Sequence, residues 1–218
     1  MPTLKILLAD DHEIVRKGLR SVIEAQRECE VVGEASDGRQ AVALAKELNP
    51  DVVILDVSMP QLNGLEATRQ ILKTRPQTKI LILTMHETDP LIRGVLDAGA
   101  RGYILKTDAG RDLVAAIESL RRNKTYFTSR VSQMILDGFL KGNNRTAEPE
   151  EVGVRLTPRQ REIVQLIAEG KSSKEVAVAL DLSVKTAETH RANIMRKLDC
   201  HSVSEVVRYA IRNKIIEA

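Results

Sequence analysis

The first 122 residues alternate short apolar runs with segments whose apolar residues recur every three or four positions. The runs are rich in valine and isoleucine, as expected for strands covered on both faces of a parallel sheet. Five such runs alternating with five helical segments predict an α/β fold with a five-stranded, doubly wound parallel sheet. The predicted strands are Lys5–Ala9, Val31–Ala35, Val52–Leu55, Ile80–Leu83 and Gly102–Leu105, and the predicted helices are His12–Ala25, Gly38–Leu48, Gly64–Thr74, Pro90–Ala98 and Ala109–Arg121.

The pattern changes after residue 122. Residues 123–153 are predicted to be a linker that contains one helix near residues 128–140, and its second part, Lys141–Gly153, is polar with no apolar period. Residues 154–218 contain four helical segments and no strand-like run, which predicts a small all-α domain. Helix-start signals support this prediction, namely Thr157 with Pro158, Ser172 with Glu175, Ser183, and Ser202 with Glu205.

Charge separates the two parts further. The chain has 218 residues and a net charge of +3, but the residues from Val154 onward carry 12 Lys/Arg and 8 Asp/Glu, a net of +4. By subtraction the first 153 residues carry 21 and 22, a net of −1. A basic end beside a near-neutral front predicts that any polyanionic partner binds the basic end. The two cysteines form no pair motif, and neither a secretion signal nor a long apolar run is found, so we expect a cytoplasmic protein without a membrane segment.

Candidate functional side chains follow the first, third, fourth and fifth predicted strands. Asp10 and Asp11 end the first, Asp56 the third, Thr84 the fourth and Lys106 the fifth. In an open parallel sheet the carboxyl ends of the strands form the ligand-binding edge, so these side chains should meet there. Three carboxylates held close together need a cation, and an all-oxygen site favours Mg²⁺.

Such a group of side chains has the parts for phosphoryl transfer. A carboxylate can attack phosphorus and form an aspartyl phosphate. Mg²⁺ and the Lys106 ammonium can take up the negative charge of the transition state, and Thr84 can donate a hydrogen bond to the attached group.

On these residues the first 122 positions resemble a response-regulator receiver domain. The run "DVSMPQLNG", Asp56 to Gly64, matches the loop that follows the phosphoacceptor in that family. The resemblance implies a flavodoxin-like strand order and a phosphoryl acceptor rather than a turnover enzyme. It also implies individual roles: Asp56 as phosphoacceptor; Asp10, Asp11, Asp56 and the carbonyl of Ser58 as metal ligands; Lys106 as the fixed cation; and Thr84 with Tyr103 as the switch pair.

The basic end contains a helix-turn-helix pattern. Helical segments at Lys174–Leu180 and Val184–Leu198 are joined by three residues, Asp181–Ser183, and the second of two such helices enters the major groove of DNA. Nearly the whole segment from Leu156 to Ser202 resembles the LuxR-type DNA-binding domain. The predicted contact residues are Lys185, Thr186, Glu188, Thr189, Arg191, Ala192, Arg196 and Lys197, with Ile194 and Leu198 facing the core.

A receiver joined to a LuxR-type domain is typical of the NarL/FixJ class of response regulators. The resemblance implies a transcriptional regulator that accepts a phosphoryl group from a histidine kinase, forms a homodimer and binds double-stranded promoter DNA, with RNA polymerase as a further candidate partner. One alternative is a phosphorylation-independent transcription factor whose receiver is vestigial and serves for dimerisation. Two others are a phosphohydrolase with a carboxylate nucleophile and, for the basic end, a protein-binding helical bundle. The phosphohydrolase pattern needs an acid two residues after the nucleophile, where this chain has Ser58.

Overall fold

The structure, a computed structural model, describes residues 3–142 and 156–216. The chain forms two compact units, one toward each end of the sequence. Residues 143–153, most of the polar segment predicted as a linker, lie outside the described residues. Within the described ranges, no helix is both long enough and apolar enough to cross a membrane.

The first unit has the predicted alternation of strands and helices, and each predicted element is confirmed with ends that agree to within two residues. The strands are β1 Leu4–Ala9, β2 Cys29–Ala35, β3 Val52–Asp56, β4 Lys79–Thr84 and β5 Gly102–Leu105. The helices are α1 Glu13–Glu24, α2 Gly38–Leu48, α3 Gly64–Thr74, α4 Asp89–Ala98 and α5 Ala109–Arg121. A further helix, α6, covers Ser129–Gly142 and therefore includes the first two residues of the polar segment.

All strand pairs are parallel, and the order across the sheet is β2-β1-β3-β4-β5. This is the flavodoxin-like order that the resemblance implies. The register pairs Ala9 with Leu55, Asp56 with Leu83, and Thr84 with Leu105. The carboxyl ends of β1, β3, β4 and β5 are therefore nearly level, and the residues that follow them lie at one edge of the sheet.

The sheet is held by apolar side chains from its strands and from the helices that cover it. On the face covered by α1 and α5, Ile6, Ile54 and Leu81 are at most 1% exposed. The apolar residues of α1 form one stripe, in which Leu19 and Ile23 are buried and Val15 and Val22 pack against the same core. Since burying one such side chain stabilises the fold by about 1.5–3 kcal/mol, the sheet can carry polar groups at its edge.

Over residues 156–216 the second unit is a bundle of four helices, as predicted. They are α7 Pro158–Ala168, α8 Ser173–Leu180, α9 Val184–Lys197 and α10 Val203–Arg212. The predicted start signals act as caps: Thr157 and Ser172 form capping boxes with Gln160 and Glu175. Ser183 and Ser202 accept hydrogen bonds from the backbone N–H groups three residues later.

Gly64 provides the sharpest steric constraint next to Asp56. Its N–H donates to the carbonyl oxygen of Val57 at 2.9 Å. A Cβ atom added to Gly64 would overlap the carbonyl oxygen of Asp56, whereas one added to Gly18, within α1, would meet nothing within 4 Å. The start of α3 can therefore approach the end of β3 only with glycine at position 64.

We predict that Gly64→Ala lowers the free energy of unfolding by roughly 1–3 kcal/mol, because backbone must move to admit the methyl group. The matched substitution Gly18→Ala should raise it by up to about 1 kcal/mol, since alanine is the better helix former. Urea denaturation of the full chain, followed by circular dichroism, measures both. Equal transition midpoints for the two variants would contradict the steric argument.

Candidate functional site

Buried polar side chains collect where the strands of the first unit end. Asp10 follows β1 and is 1% exposed, and Asp56 ends β3 and is 3% exposed. Thr84 ends β4 and is also buried. Lys106 follows β5 in a single 3₁₀ turn, Lys106–Asp108. The parallel topology thus gathers at one edge the residue types that the sequence places after separate strands.

Lys106 connects the two buried carboxylates. Its Nζ lies 2.7 Å from Oδ2 of Asp10 and 2.9 Å from Oδ2 of Asp56, and its side chain is 10% exposed. Ion pairs at these distances and this degree of burial are weakly screened by solvent. One ammonium group therefore holds Asp10 and Asp56 in fixed positions at the end of the sheet.

The charges of Asp10, Asp56 and Lys106 do not cancel, because one ammonium group faces two carboxylates. Burial raises the pKa of Asp56, the charge of Asp10 raises it further, and the hydrogen bond and charge of Lys106 only partly oppose this. Burial lowers the pKa of Lys106, but its hydrogen bonds to Asp10 and Asp56 outweigh that effect and leave the pKa above its usual value. Two buried carboxylates sharing one ammonium carry excess negative charge, which favours a bound cation.

Asp11 and His12 lie at the same edge, where Asp11 adds a third carboxylate and His12 contacts the acidic pair. Nδ1 of His12 lies 2.7 Å from Oδ1 of Asp11 and 3.3 Å from Oδ1 of Asp10. The backbone N–H of His12 donates to Oδ1 of Asp10 at 2.9 Å. One ligand atom from each of Asp10, Asp11, His12 and Asp56 lies within 4.8 Å of the others, a spacing that suits a single metal ion. The three carboxylates fit Mg²⁺, which prefers oxygen ligands.

Ser58 was predicted to supply a carbonyl ligand. The structure places its backbone N–H in a hydrogen bond with the carboxylate of Asp56, which favours the charged form of that side chain. Ser58 therefore contacts the predicted phosphoacceptor through its backbone, and its role as a carbonyl ligand stays a prediction.

Two residues at this edge were missed by the sequence analysis. Arg16 of α1 donates from Nη1 to the carbonyl oxygen of Asp10 at 2.7 Å, and its Nε lies 3.3 Å from Glu34 on β2. His12 contacts both members of the acidic pair. The position of His12 near the carboxylates could have been predicted, because it directly follows Asp10 and Asp11 in the sequence. The contact of Arg16 could not have been predicted, because it depends on how α1 packs beside β2.

Thr84 and Tyr103, the predicted switch pair, meet the same backbone segment. The N–H of His86 donates to Oγ1 of Thr84 at 3.3 Å, and the carbonyl oxygen of His86 accepts from the Tyr103 hydroxyl at 2.6 Å. Tyr103 is fully buried, and this burial raises the pKa of its hydroxyl far above its usual value. The hydroxyl is therefore a neutral donor, and it fixes the position of His86.

In the second unit, α8 and α9 form the predicted helix-turn-helix. Asp181 ends α8 in the left-handed conformation with φ of 52°, and the N–H of Leu182 donates to the carbonyl of Ala177 at 2.8 Å. Ser183 then caps α9 by accepting from the N–H of Thr186 at 3.1 Å. These local bonds end α8 and start α9 within the three residues 181–183.

One face of α9 is buried and the other is exposed. Ala187 and Ile194 pack into the core of the second unit, and Leu198 is half-buried against it. Arg191 is half-buried, and the other residues predicted to contact DNA are exposed, namely Lys185, Thr186, Glu188, Thr189, Ala192, Arg196 and Lys197. The structure thus places the predicted contact residues outside the core.

Two details refine this face. The hydroxyl of Thr189 donates to the carbonyl of Lys185 at 2.9 Å, so this hydroxyl is engaged with the backbone of its own helix. Asn193, which the sequence analysis missed, is exposed and follows Thr189 by four residues, so the two share a face. Helical spacing from Thr189 would have identified it.

The chain thus has a doubly wound parallel sheet whose acidic edge is bridged by a lysine, and a helix-turn-helix bundle follows it in the sequence. This is the architecture of a two-domain signalling regulator. Residues 6–118 match the response regulator receiver domain, and residues 154–210 match the luxR family of bacterial regulatory proteins.

Individual relatives agree with both matches. The chain is 39% identical over 215 residues to the response regulator protein VraR of Staphylococcus aureus, covering 99% of this chain and all of VraR. A LuxR-family two-component response regulator from Aurantimonas sp. SI85-9A1 superposes with a TM-score of 0.59 at 37% identity, covering 63% of this chain and 99% of that one. RcsB from Salmonella enterica serovar Typhimurium, bound to promoter rprA with the phosphomimetic BeF3-, superposes with a TM-score of 0.59 at 28% identity, covering 95% and 98%.

The chain therefore belongs to the response regulators that carry a LuxR-type DNA-binding domain. This confirms the resemblance drawn from the motifs in both halves of the chain. Membership is consistent with a transcription regulator of a two-component system.

We predict that Lys106→Met lowers the free energy of unfolding by roughly 3–5 kcal/mol in buffer containing a metal chelator, because two buried carboxylates lose their shared cation. Adding Asp56→Asn should restore part of this loss, since one of the two repelling charges is removed. Denaturation of the single and double variants measures the effect. A double variant no more stable than Lys106→Met would show that Lys106 does not compensate Asp56.

Proposed function

We propose that this chain is a phosphorylation-dependent transcriptional regulator whose phosphoacceptor is Asp56. The observation that carries the proposal is the bridge from Lys106 to buried Asp10 and Asp56, at 2.7 and 2.9 Å. A purely structural sheet edge would not keep two buried carboxylates beside each other, because each charge costs free energy to bury. Asp10, Asp11, Asp56 and the carbonyl of Ser58 would hold Mg²⁺.

In the proposed reaction, a phosphohistidine of a partner kinase donates the phosphoryl group. An oxygen of the Asp56 carboxylate forms the new P–O bond while the P–N bond breaks, and the departing imidazole takes a proton from solvent. Lys106 stabilises the negative charge that develops on the phosphoryl oxygens, and Thr84 donates to one of them after transfer. When bound, Mg²⁺ neutralises the carboxylates and polarises the phosphoryl oxygens. Asp56 is an acceptor, and no turnover of a substrate is proposed.

For the output, α9 would enter the major groove of promoter DNA. Lys185 and Arg191 would contact phosphates, while Glu188, Thr189 and Ala192 would contact base edges. Thr84 would move toward the phosphoryl group, and Tyr103, which is already buried, would fill the space that Thr84 leaves while keeping its bond to the carbonyl of His86. The resulting change around β4 and β5 would favour a homodimer, which binds two half-sites more tightly than a monomer binds one. RNA polymerase is a further candidate partner at the promoter.

The phosphorylation-independent alternative, with a vestigial receiver, has less support. A vestigial site has no reason to retain a complete set of two buried carboxylates, a bridging lysine and a buried Thr84 at one edge. The phosphohydrolase alternative lacks its second acid, because Ser58 occupies that position. The luxR-family match over residues 154–210 supports a DNA-binding role for the bundle over a protein-binding role.

Treatment of the full chain with acetyl phosphate should add one phosphoryl group, and only when Mg²⁺ is present, because the ion must offset the carboxylate charge. Intact-mass spectrometry measures the adduct, and Asp56→Asn is the control that should show none. An adduct on the control, or one formed equally in chelator, would reject Asp56 and its metal site. Absence of any adduct, combined with failure to bind beryllofluoride, would favour the vestigial receiver.

DNA binding should separate charge contacts from base contacts. Lys185→Gln should weaken binding on every sequence and reduce the slope of log K against log salt by about 1, because one phosphate contact is lost. Glu188→Gln should instead alter preference at one base pair, by about 1–3 kcal/mol, with little change in slope. Fluorescence anisotropy on DNA selected from a random pool measures both, and Lys185→Arg is the charge-matched control. Unchanged binding by both variants would remove α9 from the DNA interface.

A further inference from the structure

The segment between α5 and α6 is attached to the edge of the sheet. The N–H of Tyr103 donates to the carbonyl of Tyr126 at 2.8 Å, and the N–H of Tyr126 donates to the carbonyl of Arg101 at 3.0 Å. Together these bonds form an isolated parallel bridge between Gly102 and Tyr126. The chain leaving α5 therefore lies beside β5, and α6 begins three residues later, next to the buried switch residue Tyr103.

The start of α6 contacts the segment that joins β4 to α4 and the first residue of α4. The hydroxyl of Thr128 donates to Oε1 of Glu87 at 2.6 Å, and Nη2 of Arg130 lies 3.0 Å from Oδ1 of Asp89. Val131 of α6 is fully buried. We call these contacts the α6 anchor. The Arg130–Asp89 pair is more than half exposed and contributes little, so the anchor depends on Val131 and on the bond to Glu87.

The same segment contacts both members of the switch pair. Thr84 accepts from the N–H of His86, and Tyr103 donates to the carbonyl of His86, the residue before Glu87. The charges of Glu87 and Arg130 also act on the Tyr103 hydroxyl. A displacement of His86 must move Glu87, because the two share a peptide bond. The anchor and the switch pair are thus two sets of contacts on adjacent residues.

We propose that docking of α6 on residues 87–89 and phosphorylation at Asp56 reinforce each other, with Tyr103 and His86 as the physical connection. This rests on the proposed function of Asp56. In the structure Tyr103 is buried and its hydroxyl is bonded to the carbonyl of His86, and α6 is anchored to Glu87 at the same time. A phosphoryl group that draws Thr84 toward it favours the same buried position of Tyr103. α6 then acts as a strap whose attachment to the first unit depends on whether Asp56 is phosphorylated.

Thermodynamic linkage makes this coupling reciprocal. If docked α6 increases the affinity of the site for a phosphoryl group or its mimic, the mimic must stabilise docked α6 by the same factor. The consequence follows the chain: α6 ends at Gly142 and directly precedes the segment that leads to the DNA-binding unit. A change in the docking of α6 is therefore a change in the part of the first unit that lies nearest in sequence to the DNA-binding unit.

Glu87 is the position at which to test the coupling. Thr128 is less suitable, because its hydroxyl also accepts from the N–H of Val131 at 3.3 Å and so caps α6 itself. Glu87→Ala removes the acceptor of the anchor and leaves that cap in place. Glu47→Ala, at an exposed position on α2, is a matched control outside the anchor.

The experiment measures beryllofluoride binding to the full chain in Mg²⁺ by calorimetry, together with hydrogen exchange of the amides in residues 124–137. In the unmodified chain, beryllofluoride should slow exchange across this segment. Glu87→Ala should weaken beryllofluoride binding by about five- to tenfold, within the usual range of coupling between sites, and should abolish the slowing. Glu47→Ala should behave as the unmodified chain does.

A double-mutant cycle with Tyr103→Phe identifies the connection. If the Tyr103 hydroxyl transmits the effect, Glu87→Ala should weaken binding much less in the Tyr103→Phe background than alone. Additive effects would exclude Tyr103 as the connection. Tight beryllofluoride binding with unchanged exchange, or unchanged binding by Glu87→Ala, would overturn the proposed coupling while leaving Asp56 as acceptor. Failure of the unmodified chain to bind beryllofluoride and to form an adduct would overturn the proposed function, and the coupling with it.

Discussion

The ion bridge of Lys106 to Asp10 and Asp56 is the interaction on which the functional edge depends. It exists because an apolar sheet excludes water up to the last residue of β3, where Asp56 is 3% exposed. In that setting each carboxylate is costly without a partner, and one lysine supplies a partner for two. The remaining negative charge, which Asp11 increases, makes the edge suited to a divalent cation. Burial, ion pairing and the proposed chemistry are thus consequences of one arrangement.

The two units place their candidate functional residues in different ways. The first concentrates charge at a rigid edge, where Gly64 allows α3 to approach β3 and Arg16 holds the carbonyl of Asp10. The second presents an exposed helical face on α9, and caps at Ser172 and Ser183 fix where α8 and α9 begin. α6 differs from both, because it belongs to the segment predicted as a linker and yet contacts the receiver through Glu87 and Asp89.

Much of the fold could be predicted because its causes are local. The apolar runs of β1 and β3 and the stripe of Leu19 and Ile23 in α1 are visible as periods in the sequence, and the caps of the second unit are visible as residue types. The convergence of Asp10, Asp56 and Lys106 could also be predicted, since parallel topology brings the carboxyl ends of strands together. The contacts of Arg16 could not, because they depend on the lateral packing of α1 beside β2.

The sequence by itself therefore determined the order and type of the elements, the residues at the carboxyl edge of the sheet, and the helix-turn-helix with its basic second helix. These follow from hydrophobic period, cap chemistry and the rules of parallel sheets. Only the tertiary structure decided that one ammonium bridges both carboxylates, that Tyr103 is buried with its hydroxyl on His86, and that α6 is anchored to Glu87. Each of these joins groups far apart in sequence, whose distances are set by packing and by the balance of burial against charge rather than by any local pattern.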